Sequence, residues 1–381
     1  MKVLVASHLY PSLLSRTAGS FVHNQVRFLQ AHGAIRCVVP TPWFPVPWVG
    51  KWGAYRRLPA QETMDGVEVV RPRYLTLPRR WLLQRAWRSY LGALQRAGTP
   101  ADVIHAHCAY PDGLAAVTYG RQTRTPVVIT THGHDLKDLA APGSRWRPLV
   151  AEALAGADAV IAVSEELAGR AADLGVTDQR LHTIPNGVDG ELFRPAGNRV
   201  PGAGGWELLY VGRFDPAKGM GLLLEAVAQL RATGCPVRAR CVGGAPATGT
   251  AEAFRRQAAS LGITGAVEFV DEVPWAELPG YMNRADVFVL PSYSEGLPLS
   301  LLEALACGTP AVTTRCGGPE EVVDAEVGEV VGVGDVAALT GALGRVLEGY
   351  ARFDRQRIGQ RTRERYDYRP VAARIARVYE G

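Results

Sequence analysis

The sequence predicts an α/β protein built as two doubly wound, Rossmann-like parallel-sheet domains, and three observations carry that prediction. Short β-branched runs alternate with helical periodicity from one end of the chain to the other. The strand-like runs are apolar on both faces, as in sheets covered by helices on both sides. The length, 381 residues, exceeds what one ordinary core holds.

In order, the first half offers strands in KVLVAS, IRCVVP, VEVVRPRY, DVIHAH, PVVITTHG, AVIAVS and LHTIPN. The second half offers ELLYVGR, VRARCVGG, VEFVDE, DVFVLPS, PAVTT and EVVG. Between them, stretches such as MGLLLEAVAQLRAT set apolar residues at i, i+3, i+4 and i+7, the period of an amphipathic helix. The segment RPAGNRVPGAGG, residues 194–205, is rich in Pro and Gly without periodicity and reads as the linker. The expected division is a first domain over 1–198, a linker over 199–205, a second domain over 206–365 and a terminal helix over 366–381. The basic tail reads as two amphipathic helices broken at Pro370, either packed back across the first domain or simply solvated. In such sheets ligands bind at the C-terminal ends of the strands, facing a cleft.

Composition narrows the function. Hydrophobic content of 47% with 21% charge excludes a disordered chain. No apolar run approaches membrane-span length, and MKVLVASHLYPS lacks a signal peptide's long apolar region, so a cytoplasmic protein is expected. The six cysteines form no CxxC pair, which argues against zinc ligation or a disulfide framework. Residues 1–200 hold 23 Lys+Arg against 15 Asp+Glu, a net of +8, and the remainder 19 against 22, a net of −3. A basic first half suggests an anionic partner: a phosphorylated acceptor or the anionic inner face of a membrane. No nucleic-acid motif is present. There are 38 Arg but four Lys, and Lys218 stands alone after residue 200. A lone lysine among arginines marks either chance or a place where only a compact ammonium fits.

Two stretches carry the chemistry. In YVGRFDPAKG, residues 210–219, a strand ends and Arg213 and Lys218 follow in a loop that opens a helix. Basic side chains beside helix N–H groups suit a phosphate; the plain alternative is a surface loop with two exposed bases. In SYSEGLPLSLLEALACGTPAV, residues 292–312, Glu295 lies in the turn after a strand and Glu303 lies in the second turn of the next helix. Pro298 opens that helix and Gly308 ends it. A carboxylate accepts two hydrogen bonds, which suits a vicinal diol, so Glu295 fits a sugar and Glu303 a ribose. Otherwise Glu303 reaches out to solvent and Glu295 is an ordinary turn acid.

EGLPLSLLE resembles the signature, two glutamates separated by seven residues, of retaining glycosyltransferases with the GT-B fold, and VGRFDPAKG resembles their phosphate-binding Arg and Lys. ADAVIAVSEELA, IPNGVD and HGHD are similar, in order and spacing, to family 4 glycosyltransferases, so the likeness spans nearly the whole chain. SHLYPS with GSFVHNQVRFL is more loosely similar to bacterial enzymes of surface-polysaccharide and teichuronic-acid type. The resemblance implies that Arg213 and Lys218 bind the donor diphosphate and that Glu295 contacts the transferred sugar. It places backbone groups of Gly296, Leu297, Pro298 and Leu299 near sugar and phosphate, Glu303 on the ribose, and Val270, Asp271 and Glu272 at the nucleobase. It further implies that Gly19 and Ser20 close on the phosphates and that His132 faces the reacting sugar. Acceptor-side candidates are His8, Tyr10, Asp135 and Asn186.

The implied activity is a retaining, metal-independent hexosyl transfer from a nucleotide-diphosphate sugar to a glycan or lipid-linked acceptor, with no other cofactor. The chain holds no Asp-x-Asp. A covalent route to retention needs a carboxylate on the far face of the sugar; the family view is front-face attack, with the leaving phosphate taking the acceptor's proton. His105 and His107 are read as pointing to opposite faces of a strand, so they do not share an ion. The stretch 77–96 combines Trp81, Leu82, Leu83, Trp87 and Leu91 with arginines, and PTPWFPVPWVGKWG adds Trp43, Trp48 and Trp52. These form either an interfacial membrane anchor or an ordinary helix and loop. The rival readings are a nucleotide-sugar epimerase of the same fold and a noncatalytic nucleotide-sugar-binding subunit. A dehydrogenase is weakest, because no strand is followed by Gly-x-Gly-x-x-Gly.

Overall fold

A computed structural model of the chain describes residues 1–15, 17–43, 53–75, 84–197, 204–244 and 249–381. It divides into two compact units, residues 1–186 with 368–381, and residues 187–367.

In unit 1 the strands are β1 (Lys2–Ala6), β2 (Ala34–Val38), β3 (Thr41–Trp43), β4 (Gln61–Met64), β5 (Val67–Val70), β6 (Arg73–Leu75), β7 (Val103–His107), β8 (Val127–Thr131), β9 (Ala159–Ala162) and β10 (Leu181–Thr183). Eight of them form one sheet in the order β10-β9-β8-β7-β1-β2-β5-β4, and β3 pairs with β6 apart. β7, β8 and β9 are buried along their whole length, which explains their unbroken apolar reading. The pairing is parallel except for β4 against β5. That antiparallel edge, unforeseen in the sequence, turns on Asp65 and Gly66, whose φ angles of 46° and 81° are those of a tight primed hairpin turn. The run VEVVRPRY is two strands, not one, because Pro72 has no N–H to give a ladder.

The helix Ser20–Leu29 covers this sheet together with the C-terminal helix Tyr368–Tyr379. Val22, Val26 and Leu29 pack with Val371, Ala372 and Ile375 over Val3, Val5 and Val69, and Phe28 stacks on Tyr368 at 5.1 Å. Each such side chain contributes about 1.5–3 kcal/mol of burial, so Ile375→Ala costs about 2–5 kcal/mol. The break in the tail falls at Asp367, not at Pro370. Asp367 leaves helical geometry at φ −58°, ψ 140°, whereas Pro370 sits in the first turn of the last helix, where a missing N–H removes no bond.

Unit 2 comprises β11 (Trp206–Val211), β12 (Val237–Val242), β13 (Val267–Val270), β14 (Val287–Leu290), β15 (Ala311–Thr314) and β16 (Gly328–Val331). They form one parallel sheet in the order β13-β12-β11-β14-β15-β16. The chain enters this unit at Gly187, ahead of the Pro- and Gly-rich segment expected as linker, of which residues 198–203 lie outside the described residues. The reason is packing: the Val188 N–H donates to Tyr366 O at 2.7 Å, and Phe193 is wholly buried with its ring 5.4 Å from Trp275.

Both sheets reverse direction of growth once. In unit 1 the reversal lies between β1 and β7, and in unit 2 between β11 and β14. Ligands of doubly wound sheets bind beside such switch points, beyond the strand C-termini.

Candidate active site

In unit 2 the loops after β11 and β14 meet at the switch point. Asp215 accepts the Ala217 N–H at 3.0 Å and starts a short turn, Pro216–Lys218, that leads into the helix Met220–Ala232. Gly219 closes the turn at φ +70°, and a Cβ there would lie 1.9 Å from Pro291 O, so no other residue fits without displacing the neighbouring loop. The Tyr293 N–H donates to Ala217 O at 3.0 Å and ties the two loops together.

This registration sets Lys218 Nζ 2.8 Å from Glu295 Oε1, and Ser292 Oγ donates to the same oxygen at 2.7 Å. The Glu295 N–H donates to Cys316 O at 3.1 Å, fixing the backbone from the far side. The lone lysine therefore sits where a compact ammonium shares an oxygen with a serine, a contact no guanidinium fork reproduces. The sequence reading gave Lys218 to phosphate and Glu295 to sugar separately; here they hold each other. Glu295 takes one of the three ammonium donors. Arg213 is mostly exposed, 3.2 Å from Asp215, with its backbone carbonyl accepting the Tyr210 hydroxyl at 2.6 Å.

Pro298 caps the helix Leu299–Ala306, whose first-turn N–H groups have no carbonyl within the helix. Gly318 lets the next loop close on this entrance, since a Cβ there would lie 1.8 Å from Gly296 O. Glu303, in the second turn, does not reach solvent. It is 5% exposed, and its Oε1 accepts the Trp275 indole N–H at 2.8 Å. Burial pushes its carboxyl up to about 7, against the pull of that N–H. Trp275 was not singled out in the sequence; its cue is an aromatic just beyond Val270, Asp271 and Glu272. Of those three, Val270 ends β13 and gives its carbonyl to the Gly243 N–H at 3.0 Å, while Asp271 and Glu272 are exposed.

In unit 1, His8 follows β1 and its Nδ1 hydrogen-bonds Asp112 Oδ2 across the β1/β7 switch point. Asp112, also missed in the sequence, is 1% exposed, and its Oδ1 meets no partner among the described residues. Burial works to lower the His8 pKa, but Asp112 and Asp135 outweigh it and raise it. Burial holds the Asp112 carboxyl above its usual range in spite of His8. Asp135 accepts the backbone N–H groups of Ala109, His132 and Gly133 at 3.0, 3.2 and 3.1 Å, so it clamps the loop that carries His132.

The His132 ring lies 4.4 Å from Phe21 and its Nε2 is 3.0 Å from His107 Nδ1. His105 and His107 do not point to opposite faces. Their rings are 4.4 Å apart on one face, as a strand's period of two requires for positions i and i+2. His134 is exposed and pairs with Asp138. Gly19 takes φ +69° with a Cβ position 2.3 Å from the Leu9 carbonyl, and Ser20 begins the following helix. Tyr10 is buried, its hydroxyl 2.8 Å from His23 Nδ1, while His23 Nε2 lies 2.8 Å from Asp65. Tyr10 thus braces the loop from inside the core. Asn186 is buried at the end of the unit.

The helix Ala86–Ala97 buries Tyr90, Ala93 and Leu94 within unit 1, which spends the apolar face an interfacial anchor would need. Trp48, Trp52, Trp81, Leu82 and Leu83 lie outside the described residues. Among the described residues, no helix is long and apolar enough to cross a membrane, and no group of three or more His, Cys, Asp or Glu is placed to hold a metal ion.

The structure matches sucrose-phosphate synthase from Thermosynechococcus elongatus with a TM-score of 0.82 at 22% identity, over 100% of this chain and 98% of that one. It matches the Anabaena HepE protein, in complex with UDP and glucose, with a TM-score of 0.77 at 19% identity, over 100% and 99%. Two parallel-sheet units of this kind are the GT-B fold. Residues 18–192 match the family model Glycosyltransferase Family 4, and residues 200–365 match Glycosyl transferases group 1. A Bacillus subtilis protein, provisionally named teichuronic acid biosynthesis glycosyltransferase TuaC, is 32% identical over 84% of this chain and 82% of its own length. The chain belongs to the family 4, group 1 glycosyltransferases.

Proposed function

We propose that this glycosyltransferase moves a hexosyl group from a nucleoside-diphosphate sugar to a hydroxyl of a glycan or lipid-linked glycan precursor in bacterial surface-polysaccharide assembly, with retention and without a metal. The observation that carries the donor reading is the Lys218–Glu295–Ser292 cluster at the unit 2 switch point, with Arg213 in the same loop and Glu303 on the following helix. A pyrophosphate there meets a fixed ammonium, a guanidinium and helix N–H groups. These offset the charge that develops on the leaving group. Glu303 offers a carboxylate to the ribose diol, and the loop at Val270, Asp271 and Glu272 meets the base. In unit 1, Gly19 and Ser20 serve the phosphates and His132 the sugar, while His8, oriented by Asp112, serves the acceptor hydroxyl. The HepE complex with UDP and glucose and the name given to the Bacillus relative support the donor class and the surface-polysaccharide role.

In this scheme the bond from the anomeric carbon to the phosphate oxygen breaks as the bond to the acceptor oxygen forms on the same face. The acceptor's proton passes to the leaving phosphate. Glu295, already hydrogen-bonded to Lys218 and Ser292, positions the sugar and does not become a nucleophile. The test is thermal stabilisation by a panel of nucleoside diphosphates in the presence of a chelator. One diphosphate should raise the Tm, and Glu303→Ala should abolish the rise. No response from any diphosphate, with or without magnesium, defeats the donor reading, and a trapped glycosyl-enzyme adduct defeats front-face attack.

A further inference from the structure

One loop of unit 1 carries His8 on the way out of β1 and Gly19 and Ser20 on the way into the helix Ser20–Leu29. A histidine with no part in the reaction scheme closes the mouth of that loop. His23 sits in the first turn of the helix, where its N–H donates to Gly19 O at 3.1 Å. Its buried side chain reaches across to the other limb, with Nδ1 2.8 Å from the Tyr10 hydroxyl and the two rings edge to face at 5.3 Å. The limbs also touch directly, Gly19 lying so close to the Leu9 carbonyl that a Cβ would come within 2.3 Å. We infer that His23 is a positioning residue that staples Tyr10 to the start of the helix, and so holds His8 on one limb and Gly19 and Ser20 on the other at a fixed separation for the substrates.

The sense of each bond in the staple follows from its far end. His23 Nε2 lies 2.8 Å from Asp65 Oδ2, and an ionised carboxylate only accepts. The bond from His23 and the Arg27 guanidinium, 3.6 Å from the same oxygen, hold the Asp65 carboxyl below its usual range. Nε2 therefore carries the ring proton. Burial lowers the His23 pKa in spite of Asp65, so the ring is neutral at pH 7 and Nδ1 is a bare lone pair. The Tyr10 hydroxyl donates to that lone pair, and its own oxygen accepts the Cys37 thiol at 3.6 Å. The β4–β5 hairpin anchors both limbs. At its turn, Asp65 takes His23 and Arg27 by its carboxylate and the Gln30 amide by its backbone carbonyl at 3.2 Å, three positions on one face of the helix. At its far end Arg71, 3% exposed, donates to Pro11 O at 2.7 Å and to Glu62 Oε1 at 2.9 Å. Tyr10 and Pro11, adjacent in the chain, are thus held from the same hairpin.

The inference rests on the reading of His8, Gly19 and Ser20 as substrate-facing, and the experiment separates the two. Long-range proton–nitrogen NMR on enzyme labelled with 15N-histidine should show His23 Nε2 pyrrole-like and Nδ1 pyridine-like. In His23→Phe, assayed well below its Tm so that the chain stays folded, kcat/KM should fall about 10-fold, the loss of roughly one neutral hydrogen bond. His23→Asn sets an amide oxygen near the place of Nδ1 and keeps an acceptor for Tyr10, so it should recover most of the loss. His23→Gln sets an amide nitrogen near the place of Nε2 and keeps only the donor to Asp65, so it should recover little. Tyr10→Phe should cost as much as His23→Phe, and the two together no more than either alone. A pyrrole-like Nδ1, an unchanged kcat/KM in His23→Phe, His23→Gln as active as His23→Asn, or additive losses at Tyr10 and His23 overturns the staple. Full activity in both His8→Ala and Ser20→Ala overturns the reading of the loop as substrate-facing, while the NMR pattern and the same Tyr10–His23 cycle read by unfolding still decide the staple.

Discussion

At the switch point of each sheet, a base in the loop after the first strand meets an acid in the loop after the strand across the reversal. In unit 1 the pair is His8 and Asp112; in unit 2 it is Lys218 and Glu295. Topology supplies the same position twice, but solvation separates the chemistry. Lys218 and Glu295 are partly exposed, with side chains 23% and 11% accessible. Asp112 is wholly buried, and its partner is the side chain that titrates near neutrality. The surrounding charge also differs. Unit 1 holds 24 Lys+Arg against 14 Asp+Glu, a net of +10, and unit 2 holds 18 against 23, a net of −5. An ammonium suits a leaving diphosphate, whereas an imidazole held by a buried acid suits the positioning of an acceptor hydroxyl.

The largest effect should come from breaking the Lys218–Glu295 pair. Lys218→Ala should lower kcat by about 100- to 1,000-fold, the range seen when one preorganised donor to a developing anion is removed. Lys218→Arg should not restore it, because the shared contact with Glu295 and Ser292 leaves room only for a compact head group. His8→Ala should cost far less, about 10-fold, the loss of one hydrogen bond to the acceptor hydroxyl. Equal losses at the two positions in steady-state assays at saturating donor would erase the distinction between them.

Next in size is Glu303, where stability and binding oppose each other. Its pKa rises from 4.5 unfolded to about 7 folded. Between those values the unfolded chain has released this proton and the native chain keeps it. Stability therefore falls as pH rises from 4.5 and levels off above about 7. The cost is on the order of 3 kcal/mol. Glu303→Gln should remove that cost, so its advantage in unfolding free energy over the wild type should grow from pH 5 to pH 7.5. The same variant should lose donor affinity, since a diol needs two acceptors. In the wild type, donor affinity should weaken by up to about tenfold per pH unit below 7 if the carboxylate is the binding form. Calorimetry across that range checks both signs, and affinity indifferent to pH detaches Glu303 from the ribose.

What the sequence made legible follows the same division. The unit 2 cluster was readable because its parts are local: a strand end, a Gly at positive φ, and a Pro and Gly that bracket one helix. The doubly wound sheets were readable because buried parallel strands need apolar runs. The partners were not. Asp112 lies 104 residues from His8 and Trp275 lies 28 from Glu303, and nothing in local spacing joins them. The pairing of Lys218 with Glu295, 77 residues apart, depends on β11 and β14 being neighbours, a fact of strand order. The β4–β5 hairpin escaped because Gln61–Met64 is a half-exposed edge strand with no apolar run to announce it.

A smaller effect belongs to Asp112→Asn. With the carboxylate gone, burial should dominate and bring the His8 pKa down, read as the midpoint of its ring-proton NMR titration. The sign for stability is fixed by the raised folded pKa. The His8 contribution is fully present below the unfolded value of 6.5 and is lost as pH rises through the folded one. Denaturant unfolding at pH 6 and pH 8 should therefore show a wild-type decline with pH that the variant lacks. A His8 midpoint unmoved by Asp112→Asn removes the pair from the comparison.

The smallest effect concerns membrane attachment, and it follows from the charge contrast. The helix Ala86–Ala97 turns its apolar face inward, so among the described residues it has little to insert into a bilayer. What remains is the net charge of unit 1, and a basic side chain near an anionic surface contributes about 1 kcal/mol within a Debye length. Binding of the full chain to phosphatidylserine-containing liposomes should be weak at low salt and vanish near physiological ionic strength. Arg88→Glu combined with Arg57→Glu should weaken it further, both side chains being solvent-exposed. Binding that survives high salt points instead to an apolar anchor, and attention then moves to Trp48, Trp52 and Trp81. No binding at low salt leaves a soluble phosphorylated acceptor as the reason for a basic first unit.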